Sequence, residues 1–223
     1  MEEVTVTPPK FIGTKTLEFV NNVEGSSSID QYLIENFKVP DLNNVYRYKG
    51  TEVIQFVVTT KGELTDFNII NSVSPEIDEE VLRILATTQG MWKPGCNNGE
   101  PVAMEKEVNL RIKTGLTESM ALAQDFTEDA KELFVEGNRK FLIEGKTKKA
   151  LKLYEKGITL VPYDRAMLMM RGLCRYELGY VEGARQDWMR LKSLGGSDWI
   201  SILADYDARN LKGYDELTTM LKD

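Results

Sequence analysis

The second half of the chain repeats itself with a period of 34 residues. Gly145 recurs as Gly179, Ala150 as Ala184, and Tyr154 as Trp188. Each copy holds a Gly, an Ala five residues on, and an aromatic four residues further. A unit of this length is one helix–turn–helix, too small to bury its own apolar face. Copies stack to form the core and leave a groove for another chain. The pattern constrains residues 126–223 to an all-α unit whose business is binding.

In the first copy, 131–164, Leu133, Phe134, Phe141 and Leu142 fall on one helical face. Glu144-Gly145 ends that helix, because Gly tolerates the left-handed turn after a helix C-terminus. Ala150, Leu151, Tyr154 and Ile158 form the inner stripe of a second helix, which Pro162 stops. The second copy, 165–198, runs from Met167 to Leu178, turns at Gly179-Tyr180, and continues through Ala184, Trp188 and Leu191 to Gly195-Gly196. Ala150 and Ala184 are small where two helix backbones approach. Gly137-Asn138 sits one residue early in the first copy. The strings Arg171-Gly172-Leu173 and Glu177-Leu178-Gly179 are similar to tetratricopeptide (TPR) consensus strings. The segment thus resembles a TPR pair, with Gly145, Ala150, Tyr154, Pro162, Gly172, Gly179, Ala184 and Trp188 as a structural signature. Two copies need a cover. A helix capped by Ser197 or Asp198 carries Trp199, Ile202, Leu203 and Tyr206, and a last segment carries Tyr214, Leu217, Met220 and Leu221. Trp188 and Trp199 read as core residues.

At 223 residues, with 42% apolar and 28% charged residues, the chain has room for two modest cores. A net charge of −7 argues against nucleic acid as a partner. No stretch is long and apolar enough to span a membrane, and the acidic start Met1-Glu2-Glu3-Val4 shows no signal peptide. Cys96 and Cys174 fall in different halves and read as inert thiols. Histidine is absent, which removes the commonest general base and metal ligand. Asp78, Glu79 and Glu80 read as a solvated helix face. No phosphate-cradling loop or paired-Cys zinc motif is present, so no enzyme, cofactor or metal is expected.

The first half reads differently. Ile29, Tyr32, Leu33 and Phe37 share one side of a short helix that Ser28 can cap and Val39-Pro40 breaks. The β-branched run 51–60 is a strand, Lys61-Gly62 a turn, and Leu64 to Asn71 the return strand of a hairpin. Ser74-Pro75 opens a helix with Ile77, Val81, Ile84 and Leu85 as its buried stripe. Trp92-Lys93-Pro94-Gly95 reads as a loop and Asn98-Gly99 as a turn. Val108, Leu110 and Ile112 alternate with Glu107, Asn109 and Arg111, giving a third strand with one wet face. The fold class is α+β, a small antiparallel sheet with two helices, followed by the all-α unit.

The order of elements and several strings resemble the C-terminal domain of TonB, in the version common in Bacteroidetes. The strings are Glu35-Asn36-Phe37-Lys38-Val39-Pro40, Gly50 before Val53 and Phe56, Lys61-Gly62-Glu63-Leu64-Thr65-Asp66, Ser72 through Asp78, Trp92-Lys93-Pro94-Gly95, and Asn98-Gly99-Glu100-Pro101-Val102. The resemblance covers Ser28 to Lys113, inside a domain drawn as 1–113, with a linker at 114–125 that reads as helical around Met120-Ala121-Leu122-Ala123. It implies periplasmic or envelope localisation and capture of an extended segment of a TonB-dependent outer-membrane receptor. The added strand would lie on the open edge at Glu107, Val108, Asn109, Leu110, Arg111 and Ile112. No membrane helix and no long Pro-rich spacer precede the sheet segment, so the expectation is an adaptor that binds without transmitting force. The alternatives are the soluble part of a TonB-type transducer, or a structural dock whose TPR pair is the sole binding surface.

Overall fold

The computed structural model describes residues 4–13, 29–40, 48–113, 125–195 and 210–222. The chain forms two compact units, 1–124 and 125–223. Helical readings around Met120 and from Trp199 to Tyr206 lie outside the described residues.

The first unit opens with short strands β1 (Val6–Thr7) and β2 (Lys10–Phe11), then helix α1 (Ile29–Asn36). Strands β3 (Lys49–Val58) and β4 (Leu64–Asn71) form the expected hairpin, followed by helix α2 (Pro75–Thr87). Ser74 caps α2 by accepting from Ile77 N at 3.3 Å, and Pro75 occupies the first turn. Short strands β5 (Trp92–Lys93), β6 (Gly95–Asn97) and β7 (Glu100–Val102) precede β8 (Met104–Lys113). The stretch read as a loop at Trp92–Gly95 is thus strand on both sides of Pro94. Its partners explain this: β1 pairs with β6 and β2 with β5, so the segment around Pro8-Pro9 clamps the loop. Phe11 and Trp92 lie 5.3 Å apart, ring centre to ring centre. Asn98-Gly99 does make a tight hairpin turn, both residues having positive φ.

The main sheet has the order β4–β3–β8, all antiparallel. Ile54, Phe56 and Val58 of β3, with Val108, Leu110 and Ile112 of β8, pack against Leu33 of α1 and Ile77, Val81, Ile84 and Leu85 of α2. Two strings distant in sequence meet here. A Cβ on Gly62 (φ +77°) would collide with the carbonyl oxygen of Trp92, so the turn must be glycine. The Trp92 indole packs on Phe56 at 5.3 Å, and its Nε1 donates to the buried Thr88 Oγ1 at 3.0 Å.

The second unit is helical. Helix α3 (Thr127–Asn138) runs into a π turn (Arg139–Ile143), followed by α4 (Thr147–Leu160), α5 (Arg165–Glu177), α6 (Val181–Ser193) and α7 (Tyr214–Lys222). Ala150, Tyr154, Ala184 and Trp188 are all fully buried in one core. Each hairpin has a glycine in its first helix against the aromatic ring of its second. A Cβ on Gly137 would lie 2.6 Å from the Tyr154 ring, and one on Gly172 would lie 2.7 Å from Trp188 Cδ1. Gly145 and Gly179 take the left-handed turns (φ +62° and +86°). Within the second hairpin, the buried Asp187 accepts from Arg171 at 2.6 and 3.1 Å and from Arg175 at 2.9 Å, fastening α6 to α5. Leu217 of α7 is fully buried in the same core, and Glu216 pairs with Arg185 of α6 at 2.7 Å. No described helix is long and apolar enough to cross a membrane.

Candidate functional site

Among the described residues, the main sheet has β4 at one margin and β8 at the other, and the two margins differ. Strand β8 pairs with β3 over ten consecutive residues, from Lys49↔Lys113 to Val58↔Met104, without a register shift. In an antiparallel strand, alternate residues direct both backbone groups to one side. The Thr51 carbonyl accepts from Asn71 Nδ2 at 2.7 Å and the Thr59 N–H donates to Glu63 O at 2.9 Å, so odd-numbered residues of β3 address β4. Even-numbered ones address β8, and their partners there are Lys106, Val108, Leu110 and Ile112. The backbone groups of Glu105, Glu107, Asn109 and Arg111 therefore point away from β3. The side chains alternate the other way, with Val108, Leu110 and Ile112 buried, Glu107 half-buried, and Asn109 and Arg111 exposed.

Strand β4 is broken. Its register with β3 shifts twice, between Val53 and Ile54 and between Gln55 and Val57, and Asp66 sits at φ +52°. At its start the Gln89 side chain imitates a neighbouring strand: Leu64 N donates to Gln89 Oε1 at 2.8 Å, and Gln89 Nε2 donates to Leu64 O at 3.0 Å. Bulges and an occupied edge are how proteins prevent pairing of an exposed strand. Nothing in the spacing of β4 announces the bulges, and Gln89 reads as an ordinary polar residue after a helix. Neither is legible without the fold.

The six residues singled out at the sheet edge, Glu107 to Ile112, thus lie on one marginal strand. The eight TPR-like signature residues gather in the helical unit, where Gly145, Gly179 and Pro162 mark turns or helix ends and the others line the core. The acidic face of α2 is not simply solvated. Glu80 accepts from Lys38 N at 2.8 Å and holds Arg83 at 2.7 Å, which keeps its carboxyl below the usual range, chiefly through Arg83. Asp78 accepts from Ser72 Oγ at 2.8 Å. Sequence reading also missed Glu52, which is 1% exposed. One oxygen accepts from Val73 N at 2.9 Å and the other has no hydrogen-bond partner among the described residues. Burial, with the nearby Asp78 charge, pushes this carboxyl up to about 8. Burial also raises the Cys174 thiol. No group of His, Cys, Asp and Glu among the described residues could hold a metal ion.

Residues 40–113 match the family model of the Gram-negative bacterial TonB protein C-terminal. This stretch is similar to the TonB C-terminal domain. The match takes in the whole β4–β3–β8 sheet, α2 and the Trp92 turn, and leaves α1 and the helical unit outside. Searches of curated proteins and of solved structures gave no match. TonB C-terminal domains serve interaction and energy transduction in the periplasm of Gram-negative bacteria, without catalysis.

Proposed function

We propose that this protein is a non-catalytic adaptor of the Gram-negative envelope, with a Bacteroidetes-type TonB C-terminal unit at 1–113 and a TPR pair at 126–223. The first unit takes an extended segment of a TonB-dependent outer-membrane receptor as an added strand beside Glu107–Ile112. The second holds another protein in the groove of its hairpins. The observation that carries the first part is the contrast between the two sheet margins. Strand β8 is regular over ten residues and directs the backbone of Glu105, Glu107, Asn109 and Arg111 outward, whereas β4 is bulged twice and clamped by Gln89. β-Augmentation needs a regular ladder, since main-chain bonds supply most of the affinity. The 34-residue period and the burial of Ala150, Tyr154, Ala184 and Trp188 support the second part.

A receptor-derived extended peptide carrying a photoreactive group tests the site. Cross-links should map to Arg111 and its neighbours on β8. Cross-links confined to Phe67 and Ile69 on β4, or to the helical unit, would overturn the assignment.

A further inference from the structure

Charge is distributed unevenly along this acidic chain. Between Arg139 and Lys156 lie seven cationic and two acidic residues, a local charge of +5 in a chain of −7. Helix α4 concentrates it. Its buried residues Ala150, Leu151, Tyr154, Gly157 and Ile158 define the inner face. Lys148, Lys149, Lys152 and Lys156 are exposed and, at the helical repeat, fall within an arc of about 100° opposite that face. None of the four is ion-paired among the described residues, whereas Glu144 in the preceding turn is held by Lys140 at 2.9 Å and Lys146 at 2.5 Å. The same turn carries Ile143, 80% exposed and the most exposed large apolar residue described.

We propose that the solvent face of α4, with the turn before it, docks the protein on an anionic lipid bilayer. Three features select this occupant. The stripe lies on the outer side of a helix, a one-sided surface suited to a planar target. All four cations of the stripe are lysines, point charges on flexible stems that follow a diffuse anionic surface, and the one arginine of the segment, Arg139, is already held by Glu136 and Glu144. Ile143, in the turn before α4, supplies an exposed apolar side chain of the kind interfacial segments carry. The acidic remainder of the chain would be repelled, so the attraction also orients the molecule. This inference stands independently of the sheet-edge reading.

The test is flotation of the full chain with phosphatidylcholine vesicles, with and without about a third phosphatidylglycerol. Wild type should partition about tenfold or more into the anionic vesicles, and the preference should vanish as salt rises from about 0.05 to 0.5 M. K148E/K152E/K156E should lose the preference while keeping the wild-type circular dichroism spectrum. K148Q/K152Q/K156Q, which adds no negative charge, provides the same reading if the reversal disturbs folding. K10E/K61E/K93E, an equal charge change on exposed lysines of the first unit, should retain binding. No preference in wild type, undiminished binding by both α4 variants, or equal loss in the control would overturn the proposal. Binding to polyglutamate with none to vesicles would assign the stripe to an acidic chain and overturn it equally.

Discussion

Single residues decide two properties of the fold. Glu52 is a buried carboxyl of the sheet unit, pushed by burial up to about 8 from an ordinary 4.5. Between these values the folded chain holds a proton that the unfolded chain has released. Stability from this group is therefore full below about 4.5, falls as pH rises, and is lost above about 8. Glu52→Gln keeps the shape without the charge. Its melting temperature should exceed that of wild type at pH 8, and its pH dependence should be flatter over this window; identical profiles would show that Glu52 does not titrate as described. Gly172 is the second case. Ala normally stabilises a helix relative to Gly by about 0.5–1 kcal/mol. Here its methyl group would meet the buried Trp188 ring, 2.7 Å from Cδ1. Overpacking costs about 1–3 kcal/mol, so Gly172→Ala should lower stability in a denaturant titration. An increase would mean that Trp188 yields easily.

At the scale of elements, the irregular parts carry the most information. The first hairpin places Gly137 eight residues before Gly145, while the second places Gly172 seven before Gly179. The π turn at Arg139–Ile143 absorbs the extra residue. The closing hydrogen bonds register the same offset: Tyr180 N donates to Arg175 O at 2.8 Å, whereas Lys146 N reaches back one residue further, to Lys140 O at 2.7 Å. Deleting Ile143, which is exposed, should convert the turn to α-helix and change stability by less than about 1 kcal/mol, since it removes an insertion without emptying the core. Deleting Tyr176 from α5, which has no such turn, should unfold the second hairpin. Comparable losses in both would argue against an inserted residue. The sequence itself carried the offset, because Gly137-Asn138 stands one place early; its structural form was not legible, since a π turn has no composition of its own. The hairpin of β3 and β4, the cap at Ser74 and the glycine turns were legible because each rests on local chemistry. The strands flanking Pro94 were not, because their partners lie 81 to 91 residues away in sequence, at Val6–Phe11.

At the scale of the molecule, the sheet and the helical unit each have a separate core, and the binding claim rests on the sheet margin. The marginal strand was legible from the alternation of Val108, Leu110 and Ile112 with polar residues. Which way each backbone group points required the register with β3. That register makes one substitution decisive. Asn109 addresses the side away from β3, so Asn109→Pro removes an outward donor while sparing the ladder inside the sheet. The most direct test is calorimetric titration of a receptor-derived extended peptide into wild type and Asn109→Pro, with circular dichroism confirming that the variant is folded. Wild type should bind and the folded variant should bind at least about tenfold more weakly, the equivalent of about 1.4 kcal/mol. Equal binding by a folded Asn109→Pro protein, or no binding by wild type to any receptor peptide, would contradict the strand-addition account.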